Sequence, residues 1–259
     1  MLVMNTPTSS SDKTYILVHG AWYGGGWCWH KVVPLLESRG YAVIPVDLPG
    51  YGQDTTPAAS VTLDDYVTTV LDVAGSVKGK VVLVGHSLGG AVISQASEFL
   101  GPEKAEKLVY VDAFLLRNGE SILAQVQQLA EASKAAPEPA AEQLAADYLI
   151  FSDDQKTCLV DPARMQEVFC HDAPAEDVAL AKANLRWQPV AGLATPISVT
   201  DERYGVIPKV YIRCTKSRDL DRRSIVQHVP CQQVFELPSS HSPFFSMPDR
   251  LAAILEEVY

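Results

Sequence analysis

The chain of 259 residues is long enough for one large domain with an extensive core. Its formal net charge is −10, only 20% of its residues are charged, and no long block of like charges occurs. Nucleic acids and anionic membranes are therefore disfavoured as partners, because both bind clusters of lysine and arginine. The first residues, "MLVMNTPTSSSDK", lack the apolar stretch of a signal peptide or membrane span, so residues 1–13 are expected to form a disordered polar tail.

The five cysteines are scattered and odd in number, and no two of them form a C-x-x-C pair. This pattern disfavours a disulfide framework and a zinc ribbon, so we expect no metal site. Unpaired thiols are typical of a reducing compartment, which predicts a cytoplasmic protein.

Short β-branched segments alternate with helical patterns along the first part of the chain. In order they are "TYILVHG", "HKVVPLLESRG", "YAVIPVDLPG", "TLDDYVTTVLDVAGSV", "KVVLVG", "LGGAVISQASEFLG" and "KLVYVDAF". In the fourth segment, Thr62 and Asp65 have the spacing of a capping box at a helix start. Strands that are apolar on both faces and alternate with helices predict a mainly parallel sheet covered by helices on both sides.

The alternation resumes near the carboxyl end with "KVYIRC", "QQVFELP" and "PDRLAAILEEVY". The interval from about Leu116 to Gly205 is rich in alanine, glutamine and glutamate and shows no clear strand. We therefore predict an α/β core formed by residues 14–116 and 206–259, with a helical cap at 117–205 inserted between core strands.

The segment "LVGHSLGG" places a G-x-S-x-G motif between a strand and a helix. In this context the motif forms a tight turn in which bulky side chains two residues before and after the serine would clash. Ser87 would then project from the carboxyl edge of the sheet as a nucleophile, beside a helix N-terminus whose free N–H groups can hold an oxyanion.

The loop "HGAWYGGGWCW" after the first strand has two interpretations. Gly20, Gly24 and Gly26 resemble the phosphate-binding turn of short-chain dehydrogenases, with Asp47 as a ribose-binding acid. That family also needs a tyrosine four residues before a lysine, which this sequence lacks. In the favoured interpretation, the N–H groups of Ala21 and of Leu88, just after the nucleophile, form an oxyanion hole.

His241, in "ELPSSHSPFF", is the favoured general base because it follows the last strand and completes the chain order serine, acid, histidine. The other histidines are expected to have packing, hydrogen-bonding or surface positions: His19, His30, His86, His171 and His228.

These motifs carry a resemblance. "HGAW", "GHSLGGAV", "VDAF", "TDERYGVIPKVYIRCT" and "SSHSPFFSMP" are similar to segments of the α/β-hydrolases of the plant methylesterase and hydroxynitrile lyase subgroup, and of their bacterial carboxylesterase relatives, some of which cleave pyrethroids. The resemblance covers nearly the whole chain from Thr14. It implies a Ser-His-Asp mechanism through an acyl-enzyme without a cofactor, and it suggests a homodimer.

The acid departs from the family pattern. The family's "C-T-x-D" would place the acid at Ser217, and a serine there cannot stabilise an imidazolium. Asp219, two residues further in the same loop, is the first choice for the acid. Asp112, at the end of the "LVYVDAF" strand, is the second, and Asp221 is the third.

The sequence thus predicts a serine carboxylesterase for small to medium, largely apolar esters. Trp22, Trp27 and Trp29 are candidates for the pocket or the core, and the expected pocket residues are Gly20, Trp22, His86 and Trp187. Hydroxynitrile lyase is an alternative, but the lyases of the subgroup carry a threonine and a lysine where this chain has Gly20 and Ser242, which favours the esterase. A catalytically weak ligand-binding protein is another alternative, because Ser217 stands at the expected position of the acid. A dehydrogenase is the least favoured alternative.

Overall fold

The computed structural model describes residues 14–135 and 148–259, so the expected tail at 1–13 lies outside the described residues. The strands are β1 (Thr14–Val18), β2 (Ala42–Pro45), β3 (Val81–His86), β4 (Ala105–Val111), β5 (Leu149–Phe151), β6 (Thr157–Val160), β7 (Gln188–Pro189), β8 (Lys209–Cys214) and β9 (Gln233–Leu237). The helices are α1 (Val32–Glu37), α2 (Leu63–Ser76), α3 (Gly89–Lys104), α4 (Ile122–Ala135), α5 (Met165–Phe169), α6 (Ala175–Ala183), α7 (Val190–Ala194), α8 (Ile225–His228), α9 (Pro243–Ser246) and α10 (Pro248–Glu257).

Six strands form one parallel sheet in the order β2-β1-β3-β4-β8-β9. Successive residues of each strand face opposite sides, and the packing of β1 shows both sides to be buried. Ile16 and Val18 pack with α2 and α3 in one apolar cluster. Tyr15 and Leu17 pack with α1 and α10 in the other. The predicted parallel sheet covered by helices on both faces is therefore confirmed.

The predicted capping box begins α2. The Asp65 amide donates to the Thr62 hydroxyl at 3.3 Å, and the Asp65 carboxylate accepts the Thr62 amide at 2.8 Å. Two backbone donors at the helix start are thereby satisfied, which fixes the first turn.

The interval between β4 and β8 differs from the sequence-based expectation of a cap without strands. Helices α4 to α7 are present, but β5, β6 and β7 form a three-stranded antiparallel sheet among them. These strands have only two to four residues each. Segments so short carry little periodicity, and the pairing of β6 with β7 joins residues some thirty positions apart, so the local sequence does not indicate them.

Within the described ranges, no helix is both long and apolar enough to cross a bilayer.

Candidate active site

The candidate catalytic residues follow the carboxyl ends of neighbouring parallel strands. Gly20 follows β1, Ser87 follows β3, Asp112 follows β4, Ser217 follows β8 and His241 follows β9. Since these ends meet at one edge of the sheet, residues far apart in sequence are brought into one site.

Ser87 lies in a sharp turn between β3 and α3, with a φ of 53°. A Cβ at Gly85 would lie 2.5 Å from the Gly89 oxygen, and a Cβ at Gly89 would lie 2.6 Å from the Val18 oxygen. The turn therefore requires glycine at both positions, as the motif predicted. The left-handed conformation of Ser87 is the strained geometry expected of a nucleophile at such a turn.

Two backbone amides near Ser87 are free to bind an oxyanion. Among the described residues, neither the Ala21 nor the Leu88 amide has a hydrogen-bond partner. Leu88 is the N-cap residue of the 16-residue helix α3, whose first amides carry partial positive charge. They are the two amides that the sequence predicts as oxyanion donors.

His241 is held by two buried hydrogen bonds. Its Nδ1 lies 2.7 Å from Asp112 Oδ2, and its carbonyl oxygen lies 2.8 Å from His86 Nε2. His86 must carry its proton on Nε2 to make the second bond. Burial and the neighbouring His241 lower the pKa of His86 well below its usual value, so His86 is neutral and serves as a donor.

Asp112 is the carboxylate that contacts His241 directly. Its Oδ2 also accepts the Ser217 hydroxyl at 2.5 Å, and its Oδ1 accepts the Cys214 amide at 3.0 Å. Burial alone would raise the pKa of Asp112, but the Arg222 cation and the hydrogen bond from His241 outweigh it and hold the pKa below its ordinary value. Asp112 is therefore a buried, ionised partner for His241.

Asp219, the first choice of acid from the sequence, lies close by but bonds elsewhere. Its Oδ1 is 3.8 Å from His241 Nδ1, whereas Arg222 donates to both of its oxygens at 2.9 and 2.7 Å. Burial raises its pKa, but Arg222 and His241 lower it to about 2. The geometry thus favours the second choice, Asp112, as the partner of His241. Asp221, the third, forms an ion pair with Arg223 in which the arginine side chain is 40% exposed.

Ser217 keeps the family position of the acid but acts as a donor. Its hydroxyl donates to Asp112 Oδ2 and so adds a hydrogen bond to the carboxylate that contacts His241. The sequence did not suggest this link, since the two residues are 105 positions apart.

Arg222 is a functional candidate that sequence reasoning missed. Its side chain is 1% exposed, and its Nη1 lies 3.2 Å from Asp112 Oδ2. An arginine in a polar loop is usually solvated. Only its place in the fold, between Asp219 and Asp112, which are three and 110 positions away, could have indicated that Arg222 is buried.

Three ligand-type side chains, Asp112, Asp219 and His241, lie close enough together to hold a metal ion. The Arg222 guanidinium, however, lies against both carboxylates and already supplies the positive charge there. The donor set therefore fits an arginine-centred cluster better than a cation site.

The predicted pocket residues divide between the site and its surroundings. A Cβ at Gly20 would lie 2.8 Å from the Cβ of Ser87, so Gly20 adjoins the nucleophile. Trp22 is half-buried, and its ring centroid lies 5.5 Å from that of Phe169. Trp187, by contrast, is 39% exposed.

Phe169 and Tyr148 form an aromatic wall beside His241 that the sequence did not indicate. The rings of Phe169 and His241 are 5.6 Å apart, and those of Tyr148 and Phe169 are 5.4 Å apart. Trp29 is instead a core residue, fully buried against Phe244. The surroundings of His241 on this side are therefore largely apolar.

The first loop is held by the Asp47 side chain and by packing on His19. Asp47, the ribose-binding acid of the dehydrogenase interpretation, accepts the Gly26 amide at 2.6 Å and the Gln53 amide at 3.0 Å. A Cβ at Gly24 would lie 2.0 Å from His19 Nδ1, so this glycine is needed for packing around His19. Both features account for glycine in this loop by packing and hydrogen bonding, so no dinucleotide site is needed to explain it.

The remaining histidines have structural partners or lie at the periphery. His19 is buried between the Gly20 carbonyl and the Leu48 amide. His228 pairs with Glu120, and His30 lies 3.3 Å from Asp177. His171 is in the cap region before α6.

Known proteins are similar to this chain over nearly its whole length. Putative methylesterase 15, chloroplastic, of Arabidopsis thaliana is 34% identical over 262 residues, which are 96% of this chain and 57% of that protein. The chain therefore spans little more than half the length of that relative. Methylesterase 7 of the same plant is 31% identical over 261 residues, which are 96% of this chain and 97% of that one.

A solved structure described as a pyrethroid hydrolase from Sphingobium faniae is similar along its length. It is 31% identical, with a TM-score of 0.79, and the match covers 95% of this chain and 96% of that one. A family model described as the alpha/beta hydrolase family matches residues 15–254. With the parallel sheet, the serine turn and the histidine at the same sheet edge, this match shows that the chain belongs to the alpha/beta hydrolase family.

Proposed function

We propose that the protein is a serine carboxylesterase in which Ser87 is the nucleophile, His241 the base and Asp112 the acid. The observation that carries the proposal is the 2.7 Å hydrogen bond between His241 Nδ1 and the buried Asp112 carboxylate, at the sheet edge where Ser87 also lies. The acid is thus supplied by the strand next to the one that the family pattern uses.

The chemistry follows from these positions. Ser87 Oγ attacks the ester carbonyl carbon while His241 Nε2 takes the hydroxyl proton, and Asp112 stabilises the resulting imidazolium. The amides of Ala21 and Leu88 bind the oxyanion of the tetrahedral intermediate. His241 then gives its proton to the departing alcohol. Water, deprotonated by His241, cleaves the acyl-enzyme and frees the acid.

The substrate class is proposed from the surface and from the relatives. The aromatic wall of Phe169 and Tyr148 favours an uncharged, largely apolar ester of small to medium size. The names methylesterase and pyrethroid hydrolase, borne by similar proteins, both denote cleavage of carboxylic esters.

The lyase alternative is less well supported by two positions. Gly20, where the lyases carry threonine, has no room for a Cβ beside Ser87. Ser242, where they carry lysine, is buried and bonds the Phe169 carbonyl and the Tyr23 hydroxyl, each at 3.0 Å. Neither position can supply the group that the lyase reaction requires.

Two further proposals come from the sequence: a cytoplasmic location and a homodimer. The first is supported by all five thiols being free, four of them buried. The second rests on the resemblance alone, and sedimentation velocity would test it.

Ser87→Ala is expected to reduce hydrolysis of p-nitrophenyl esters to the uncatalysed rate, because loss of a serine nucleophile costs up to about 10⁶ in kcat. Steady-state kinetics with a series of acyl chain lengths would measure this. Ser97→Ala, which removes a buried serine hydroxyl within α3, is the control and should retain activity. Turnover that survives in Ser87→Ala would exclude the serine mechanism. Absence of turnover in the native protein would favour the ligand-binding alternative.

A further inference from the structure

Behind His241 lies a buried ion cluster of Asp112, Asp219 and Arg222, here called the Asp-Arg-Asp cluster. The three side chains are 0%, 5% and 1% exposed. Arg222 bonds both oxygens of Asp219 and lies 3.2 Å from Asp112 Oδ2, and Asp219 in turn lies 3.8 Å from His241 Nδ1. A serine triad needs only one of these three residues.

The charges of the cluster add to minus one, from two carboxylates and one guanidinium. When His241 takes the proton of Ser87, the cluster and the imidazolium together become neutral. Without Arg222, two buried carboxylates would face one imidazole, and such like charges strongly favour uptake of a proton. Without Asp219, the guanidinium would cancel the charge of Asp112 and oppose the imidazolium.

We propose that Arg222 and Asp219 are positioning residues that hold the net charge facing His241 at minus one. At this charge Asp112 stays ionised, and the cluster balances the single positive charge of the imidazolium. This rests on the proposed function, in which His241 is the base. The two residues act through Asp112 and His241 and do not contact the ester.

The other ionisable groups near His241 and Asp112 are unchanged in every variant below. His86 is neutral, and burial raises the pKa values of the nearby phenols and thiol. Asp172 accepts the Ser240 amide at 2.8 Å and is the same in every variant below. The groups concerned are His86, Asp172, Tyr23, Tyr148, Tyr211 and Cys214.

The test is the pKa of His241, measured by NMR titration of ¹³C-labelled histidine and assigned with a His241→Gln variant. Arg222→Met should raise that pKa by about one unit or more, and Asp219→Asn should lower it by a similar amount, because a charge within about 4–6 Å has effects of this size. The double variant, which again leaves minus one, should return the pKa close to its native value. Arg222→Lys, which keeps the charge, should also stay close to native.

Arg223→Met is the matched control, because this neighbouring arginine is 40% exposed and pairs with Asp221. It should leave the pKa of His241 unchanged. A merely structural role would lower stability in every variant without opposite pKa shifts. The proposal would be overturned if Arg222→Met and Asp219→Asn shifted the pKa of His241 in the same direction, or if Asp219→Asn did not shift it. If Arg222→Met does not fold, the pKa of His241 in Asp219→Asn and in Arg222→Lys still tests the proposal.

The acidic limb of the kcat/KM profile should move with the pKa of His241. The NMR titration requires no turnover, so the charge proposal can fail while Ser87→Ala still abolishes activity. Conversely, a native protein without esterase activity would refute the proposed function and leave the titration interpretable.

Discussion

At the scale of single residues, backbone strain is concentrated where the chemistry is proposed. In the described part of the chain, non-glycine residues with positive φ are Trp22, Ser87, Asp112 and Gln155. Three of these border the site, and a left-handed residue is kept only when its surroundings determine it. At Asp112, with a φ of 45°, the surroundings are the Cys214 amide, Ser217 and His241. The strain therefore aims the carboxylate at the base.

Replacing the acid should be more costly at Asp112 than at Asp219. Asp112→Asn is expected to reduce kcat by about 10⁴, the loss seen when a serine protease loses its triad acid, because an amide cannot stabilise imidazolium. Asp219→Asn should cost much less, since its carboxylate does not bond His241. Steady-state ester hydrolysis by both variants provides the measurement, and the reverse order of effects would restore Asp219 as the acid.

A second variant tests whether residue 217, after β8, can replace residue 112, after β4, as the acid. Ser217→Asp in the Asp112→Asn background should recover at least a tenth of native kcat, because Ser217 already lies within hydrogen-bonding distance of residue 112 and holds the family position of the acid. The Ser217→Ala exchange in the same background is the control and should recover nothing.

At the scale of elements, the capping box of α2 stabilises the fold and stands apart from the chemistry. Thr62→Ala should lower the free energy of unfolding by about 1 kcal/mol, since it removes the acceptor for the Asp65 amide. Thr68→Ala, at an exposed position within the same helix, should be neutral or slightly stabilising because alanine favours helix. Urea unfolding of both would show the difference, and kcat should be unchanged. Equal effects of the two substitutions would mean that the cap contributes nothing.

At the scale of the whole molecule, buried histidine makes stability depend on pH. Burial lowers the pKa of His19 to about 4, only partly opposed by its bond to Gly20 and by Asp47. The unfolded chain, with a histidine pKa near 6.5, therefore binds more protons than the folded one between about pH 4 and 6.5. Stability is present above about pH 6.5 and is lost as the pH falls towards 4.

His19→Gln should flatten this dependence by up to about 1.4 kcal/mol per pH unit, because the substitution removes one titrating group from both states. The free energy of unfolding in urea, measured at several pH values from 4.5 to 7.5, gives the slope. His228→Gln is the control, because the His228 ring is partly exposed beside Glu120. An unchanged slope in His19→Gln would show that His19 binds protons equally in the folded and unfolded chain.

The sequence by itself determined the parts of this protein that depend on short segments: the parallel sheet, the capped helix α2, and the serine turn whose glycines leave no room for a Cβ. It also placed His241 correctly at the sheet edge, because chain order and strand order together specify that edge. Each of these follows from a residue pattern within a short segment, or from the rule that parallel strands share an edge.

Only the tertiary structure decided which carboxylate meets His241 and what lies behind it. Asp112, Ser217 and Arg222 are joined across more than a hundred positions, and which oxygen accepts which donor depends on charges packed in one buried volume. In the cap, β7 has only two residues and is likewise stabilised by pairing with β6, some thirty positions away. Local sequence carries little information on such contacts, because their free energy arises only when the chain has brought the groups together and removed them from water.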